Sequence, residues 1–140
     1  MKNNAWVTVV SGIDVLDGEE PEKVTLTTQG TFEEENGIVK IIYSEADEDG
    51  VTETEVTVLS ADHIRVSREG LNCFLLDADL GKRYSGLYDT PYGTLNMGIY
   101  PSEVKAEFTE DGARLHMKYT VDFNSQLASE NTIDITVKQI

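Results

Sequence analysis

The run Gly112 to Phe123, "GARLHMKYTVDF", alternates apolar and polar residues along its whole length. Ala113, Leu115, Met117, Tyr119, Val121 and Phe123 share one phase, and Arg114, His116, Lys118, Thr120 and Asp122 share the other. A pleated strand sends successive side chains to opposite faces, so a period of two specifies a long strand with one buried face. "NTIDITVKQI" repeats the pattern with Ile133, Ile135 and Val137, "SEVKAEF" gives Val104, Ala106 and Phe108, and "TLNMGIY" gives Leu95, Met97 and Ile99. The runs "NAWVTVVSGI", "KVTLTTQGTF", "GIVKIIYSE", "TEVTVLS" and "HIRVSRE" are rich in Val, Ile and Thr, which suit a pleated surface and lose freedom in a helix. "LNCFLLD" reads as a short buried strand. No amphipathic helix emerges, and "DVLDGEEPEK" reads as a loop with room for one helical turn.

The connections carry turn chemistry. "ENG", "DEDG", "REG" and "EDG" each end in glycine after polar residues, and Gly, Asn and Asp accept the positive φ angles of tight hairpins. The sequence therefore predicts an all-β, antiparallel meander of nine or ten segments, in a sandwich or a barrel, over a single domain spanning residues 1–140. Closing the sheet into a barrel removes two exposed edges. One stretch stands apart: "RYSGLYDTPYGTLNMGIYP", Arg83 to Pro101, concentrates tyrosine and glycine. Its glycines, Gly86 and Gly98 among them, are expected to turn a barrel corner or permit close backbone approach, with the tyrosines filling the barrel or its mouth.

Charge excludes whole classes of partner. The net charge is −15, so no nucleic-acid partner and no anionic membrane surface is expected. Fourteen acids and two lysines lie between Asp14 and Glu55. That stretch reads as a solvated face, with a docking surface for a basic protein as the sharper alternative. The N-terminus has no apolar block of signal-peptide length, and no stretch approaches a membrane span, which makes the cytoplasm the default location.

Motifs for chemistry are few. In "EADEDGVTETEV", aligning Gly50 with the invariant glycine of a calcium loop puts Val56 where a bidentate glutamate is required, so no metal site is expected. His63 and His116 sit on polar phases without paired ligand spacing. Cys73 is the lone cysteine and reads as a small buried hydrophobe. There is no nucleophile elbow, phosphate loop or dinucleotide fingerprint, so no cofactor and no catalytic residue is assigned, and an enzyme ranks lowest among the readings. Arg65, Arg68, Lys82, Arg83, Arg114, His116 and Lys118 read as members of surface ion pairs. The alternative gathers a few of them near Tyr84, Tyr88 and Tyr92 to hold an anionic small molecule.

"YSGLYDTPYGTLNMGIYPSEV", "GARLHMKYTVDF" and the closing "SENTIDITVKQ" resemble the YwiB-like family of small bacterial proteins of uncharacterised function. The resemblance implies a fold like that of the calycins, lipocalin-like meandering barrels of about eight or more strands, and brings no catalytic residues with it. The lipocalin glycine two residues before the N-terminal tryptophan is Asn4 here, and Trp6 is expected to plug one barrel end. Two functional readings lead. The first is a barrel that binds a small apolar or amphipathic molecule, with Arg83, Tyr84, Tyr88, Tyr92, Met97 and Tyr119 about the cavity. The second is a filled barrel whose acidic hairpins dock a basic protein.

Overall fold

The computed structural model describes residues 2–15, 22–48, 50–70, 74–90, 93–124 and 126–140. Ten strands are formed: β1 (Lys2–Val15), β2 (Glu22–Glu35), β3 (Ile38–Asp47), β4 (Gly50–Ser60), β5 (His63–Glu69), β6 (Phe74–Asp79), β7 (Tyr84–Thr90), β8 (Gly93–Thr109), β9 (Gly112–Phe123) and β10 (Gln126–Gln139). Among the described residues there is no helix. All pairings are antiparallel, in the order β6-β5-β4-β3-β2-β1-β10-β9-β8-β7. The expected all-β meander is borne out.

This order forces the sheet to curl. β6 and β7 lie at opposite ends of the strand order, yet only residues 80–83 connect them. Flat, ten strands would hold those edges about 43 Å apart at the usual strand spacing. The chain from Asp79 to Tyr84 reaches about 18 Å when fully extended. The edges therefore meet, and the sheet is a nearly closed barrel. Across the seam, the Gly81 N–H donates to the Pro101 carbonyl (3.0 Å) and the Ala106 N–H to the Ala61 carbonyl (2.9 Å). The Tyr84 hydroxyl donates to the Leu75 carbonyl (3.2 Å). Among the described residues no ladder joins β6 to β7, so closure is by these scattered bonds.

The period-two phases become the two faces. On β9, Ala113, Leu115, Met117 and Tyr119 are buried, as are Ile135 and Val137 opposite them on β10. Val7, Ile41, Val56, Ile64, Leu76 and Ile99 complete a core with no exposed area at these six positions. The hairpin between β2 and β3 has the Asn-Gly pair read from the sequence, with Asn36 (φ 55°) and Gly37 (φ 81°) both in the left-handed region that such a two-residue turn demands.

Three expectations need correction. "TLNMGIY" and "SEVKAEF" are one strand, β8, rather than two. Pro101 has no N–H to give a ladder, and the register slips between Pro101 and Glu103, so a bulge lets the strand bend and continue. Trp6 does not plug the barrel. Its neighbours Ala5 and Val7 are the fully buried ones, and Trp6 points outward, 47% exposed. Gly98 does not turn a corner. It lies mid-strand in β8, and the Arg83 guanidinium crosses directly over it to reach Asp122 (Nη2 to Oδ1, 2.8 Å). A side chain at position 98 would occupy the space that this guanidinium fills.

Candidate functional site

The inner face turns polar toward one end of the barrel. β3 continues from Val39 and Ile41 to Tyr43, β4 from Val58 and Val56 to Thr54, and β5 from Ile64 and Val66 to Arg68. Register places Thr54 opposite Arg68. On the far wall β10 runs from Val137 and Ile135 through Ile133 to Asn131, which pairs with Tyr119 of β9. Of these, Val66, Arg68, Tyr119, Asn131 and Ile133 border a cavity of about 260 Å³. Arg68 lines it from β5 and Tyr119 and Asn131 from the far wall, and Ile133, Ile13 and Val24 give it apolar surface. Ile13 and Val24 are 43% and 63% exposed, so they form its rim.

Arg68 is the unusual member. Its guanidinium sits within a barrel wall, Nε is buried without a hydrogen bond, and no carboxylate pairs with it among the described residues. The Tyr43 hydroxyl lies within reach of Arg68 and of Thr54, but Thr54 Oγ1, also buried, has no well-formed bond of its own. Burial pushes the Tyr43 and Tyr119 hydroxyls above the ordinary tyrosine range, and the nearby Arg68 charge opposes that rise at both. Both phenols are therefore neutral donors at physiological pH. Asn131 is 6% exposed and gives one amide hydrogen to Ser129 Oγ (3.0 Å).

The sequence-predicted residues distribute unevenly. Tyr119 lines the cavity. Tyr84 and Met97 are on the same inner face, packed against the core, with the Tyr84 hydroxyl committed to the seam. Arg83 is on the outer face with Asp122 and does not join them. Tyr88 pairs through its backbone with Leu95, but its side chain, and Tyr92 altogether, lie outside the described residues, as does Cys73. Sequence reading missed Tyr43 and Asn131 as site residues, and named Arg68 only among the bases that its second choice gathers near Tyr84, Tyr88 and Tyr92, the surface ion pair being preferred. The signal was present: each is a polar group on the apolar phase of its strand, in "IVKIIY", "HIRVSR" and "NTIDITV".

Other features are outer-face ladders. His116 Nδ1 bonds Asp134 (2.6 Å), and Glu103 and Lys118 extend that row toward Glu130. His63 bonds Asp77 (2.6 Å) beside Arg65. Among the described residues no cluster of His, Cys, Asp and Glu is arranged to hold a metal. At the opposite barrel end a depression of about 320 Å³ lies beside Phe108; its buried side chains, Phe32 and Val39, are apolar, and the carboxylates that line it, Glu34 and Glu110, are exposed.

Residues 7–135 match the family described as "Domain of unknown function (DUF1934)". The chain belongs to that family. Among solved structures, the crystal structure of the YwiB protein from Bacillus subtilis superposes with a TM-score of 0.73 at 19% identity, covering 99% of this chain and 93% of that one. At that identity the likeness is one of fold, and it bears out the family resemblance read from the C-terminal motifs. No curated protein matches the chain. No helix among the described residues is long and apolar enough to cross a membrane.

Proposed function

We propose that this DUF1934 barrel is a calycin-like binding protein that holds one small molecule in the cavity between β1, β2, β5, β9 and β10, in the cytoplasm. The observation that carries this reading is the break in the core. The rest of the interior is closely packed, yet at one end a 260 Å³ space is lined by Arg68, Tyr119 and Asn131, and among the described residues the buried Arg68 Nε has no hydrogen-bond partner. An eight-to-ten-stranded barrel is at the size where the interior is either just filled or holds a single ligand. Apolar walls with a few convergent polar groups are the usual make-up of a ligand site.

Native mass spectrometry on protein freshly purified from its own host tests this. The expected result is an added mass lost on denaturation, and reduced in occupancy when Asn131→Leu removes a polar lining group. A bare chain mass, together with no response of cavity residues to any compound in a small-molecule NMR screen, would end the proposal.

A further inference from the structure

Resting on that reading, the chemistry of the cavity narrows the ligand to a class. We infer that the barrel selects a compact organic monoanion, a carboxylate on a small apolar body, with Arg68 as the anchor of the carboxylate.

The first ground is the arginine. Arginine carries its charge at any physiological pH, and a buried charge without a partner is costly enough that folded proteins nearly always provide one. Arg68 is partly buried and has no carboxylate partner among the described residues, although the chain carries 26 acids; its contact with the neutral Tyr43 hydroxyl leaves the charge unbalanced. Acidic partners are abundant on the outer face, where Arg83, Arg65, Lys40 and Lys118 all pair. The one inward arginine is left with its Nε open and the cavity beside it. A guanidinium fork accepts a carboxylate bidentately, and the Tyr119 hydroxyl and the second Asn131 amide hydrogen are further donors on the same lining. Every group named here gives hydrogen bonds; the matching ligand group is an acceptor.

The second ground is charge balance. A single guanidinium neutralises one negative charge. Arg68 is the one cation among the described lining residues and Glu22 stands at the mouth, so a second negative charge on the ligand would find no cation to pair with. That favours a carboxylate over a phosphate monoester. The third ground is size. A volume of 260 Å³ is about nine times the share of one water molecule, room for roughly ten non-hydrogen atoms. Ile13, Val24 and Ile133 supply the apolar surface for the body of such a molecule. A long-chain lipid would leave most of its chain outside these walls, in water.

Calorimetric titration of the full chain with phenylacetate, hexanoate, phenylacetamide, phenyl phosphate and palmitate tests the three grounds separately. The expected result is binding of phenylacetate and hexanoate at least about tenfold tighter than phenylacetamide, the neutral isostere. Arg68→Gln should abolish that preference by weakening the acids more than the amide, and Arg68→Lys should retain part of it because charge remains without the fork. Circular dichroism confirms that each variant is folded. Equal affinity for acid and amide in the wild type, or an acid preference that survives Arg68→Gln, overturns the anion assignment and leaves the cavity as a neutral-ligand site. Tighter binding of phenyl phosphate overturns the monoanion, and tighter binding of palmitate overturns the size limit. No binding by any of the five overturns this inference and leaves the binding function to be decided by native mass spectrometry on the host-purified protein.

Discussion

Two arginines in this protein should respond to the same substitution with opposite signs. Arg68→Met keeps an unbranched stem in the barrel wall, so the apolar contacts of the side chain change little. What disappears is a buried Nε donor with no partner, a defect that costs about 1–3 kcal/mol, against which the contact with the Tyr43 hydroxyl is worth about 1 kcal/mol. The expected outcome is a gain of up to about 2 kcal/mol. With a urea m value of about 2 kcal/mol/M, the unfolding midpoint rises by up to roughly 1 M. Arg83→Met removes a guanidinium 2.8 Å from Asp122, whose side chain is only 16% exposed. The carboxylate left behind is poorly solvated, so stability should fall by about 1–2 kcal/mol. Urea unfolding of the ligand-free protein, followed by circular dichroism, measures both. A midpoint lowered by Arg68→Met would mean that Arg68 ties the barrel together and is not held open for a ligand. The stabilised variant is expected to have lost its binding, since a site kept in an unsatisfied state costs stability in the empty protein.

Leu115→Ala, at a position 2% exposed, should cost about 2–5 kcal/mol in urea unfolding, while His116→Ala next to it should stay within about 0.5 kcal/mol at alkaline pH. The hydrogen bond to Asp134 raises the His116 pKa above its ordinary 6.5, with partial burial opposing. The folded state therefore binds this proton more tightly than the unfolded state. Its contribution is fully present below the unfolded value and is lost as pH rises through the higher folded value. His116→Ala should accordingly be more destabilising at about pH 5.5 than at about pH 8.5, and Asp134→Asn should lower the His116 midpoint in an NMR titration; a midpoint that does not move would remove Asp134 as the cause. Gly98→Ala places a Cβ against the Arg83 guanidinium and 2.6 Å from Asp122 Oδ1, so it should displace the ion pair and cost about 1–3 kcal/mol. Combined with Arg83→Met the two losses should fall well short of additive, which a double-mutant cycle reads directly.

The faces of this barrel were legible because they depend on a period that a sequence carries on its surface. The phase of β9 and of the end of β10 can be read residue by residue. β8 was not, because a proline normally ends a ladder and only the three-dimensional bulge shows that this strand bends past it. Phe108 shares a phase with Val104 and Ala106, yet it is 56% exposed, since it falls beyond the point where other strands cover that face. The site was harder to read for a different reason. Arg68, Tyr119 and Asn131 come from three strands whose proximity depends on how far the sheet curls, and no local pattern encodes that. The tyrosine-rich stretch drew attention through its composition. Its Arg83 is explained by a neighbour thirty-nine residues away, which fixes it on the outside.

The strand order also sets a schedule for synthesis on the ribosome. β1 is made first, and one of its edges pairs with β2, but the other waits for β10, with Val7 opposite Val137 across nearly the whole chain. Until β10 emerges, the nascent sheet has an open edge on β1, and such edges recruit other chains. Pairing so distant in sequence also makes the final closure slow. The dense acids between Asp14 and Glu55 belong to the portion that is exposed longest, where mutual repulsion between nascent chains holds them apart until the last strand docks.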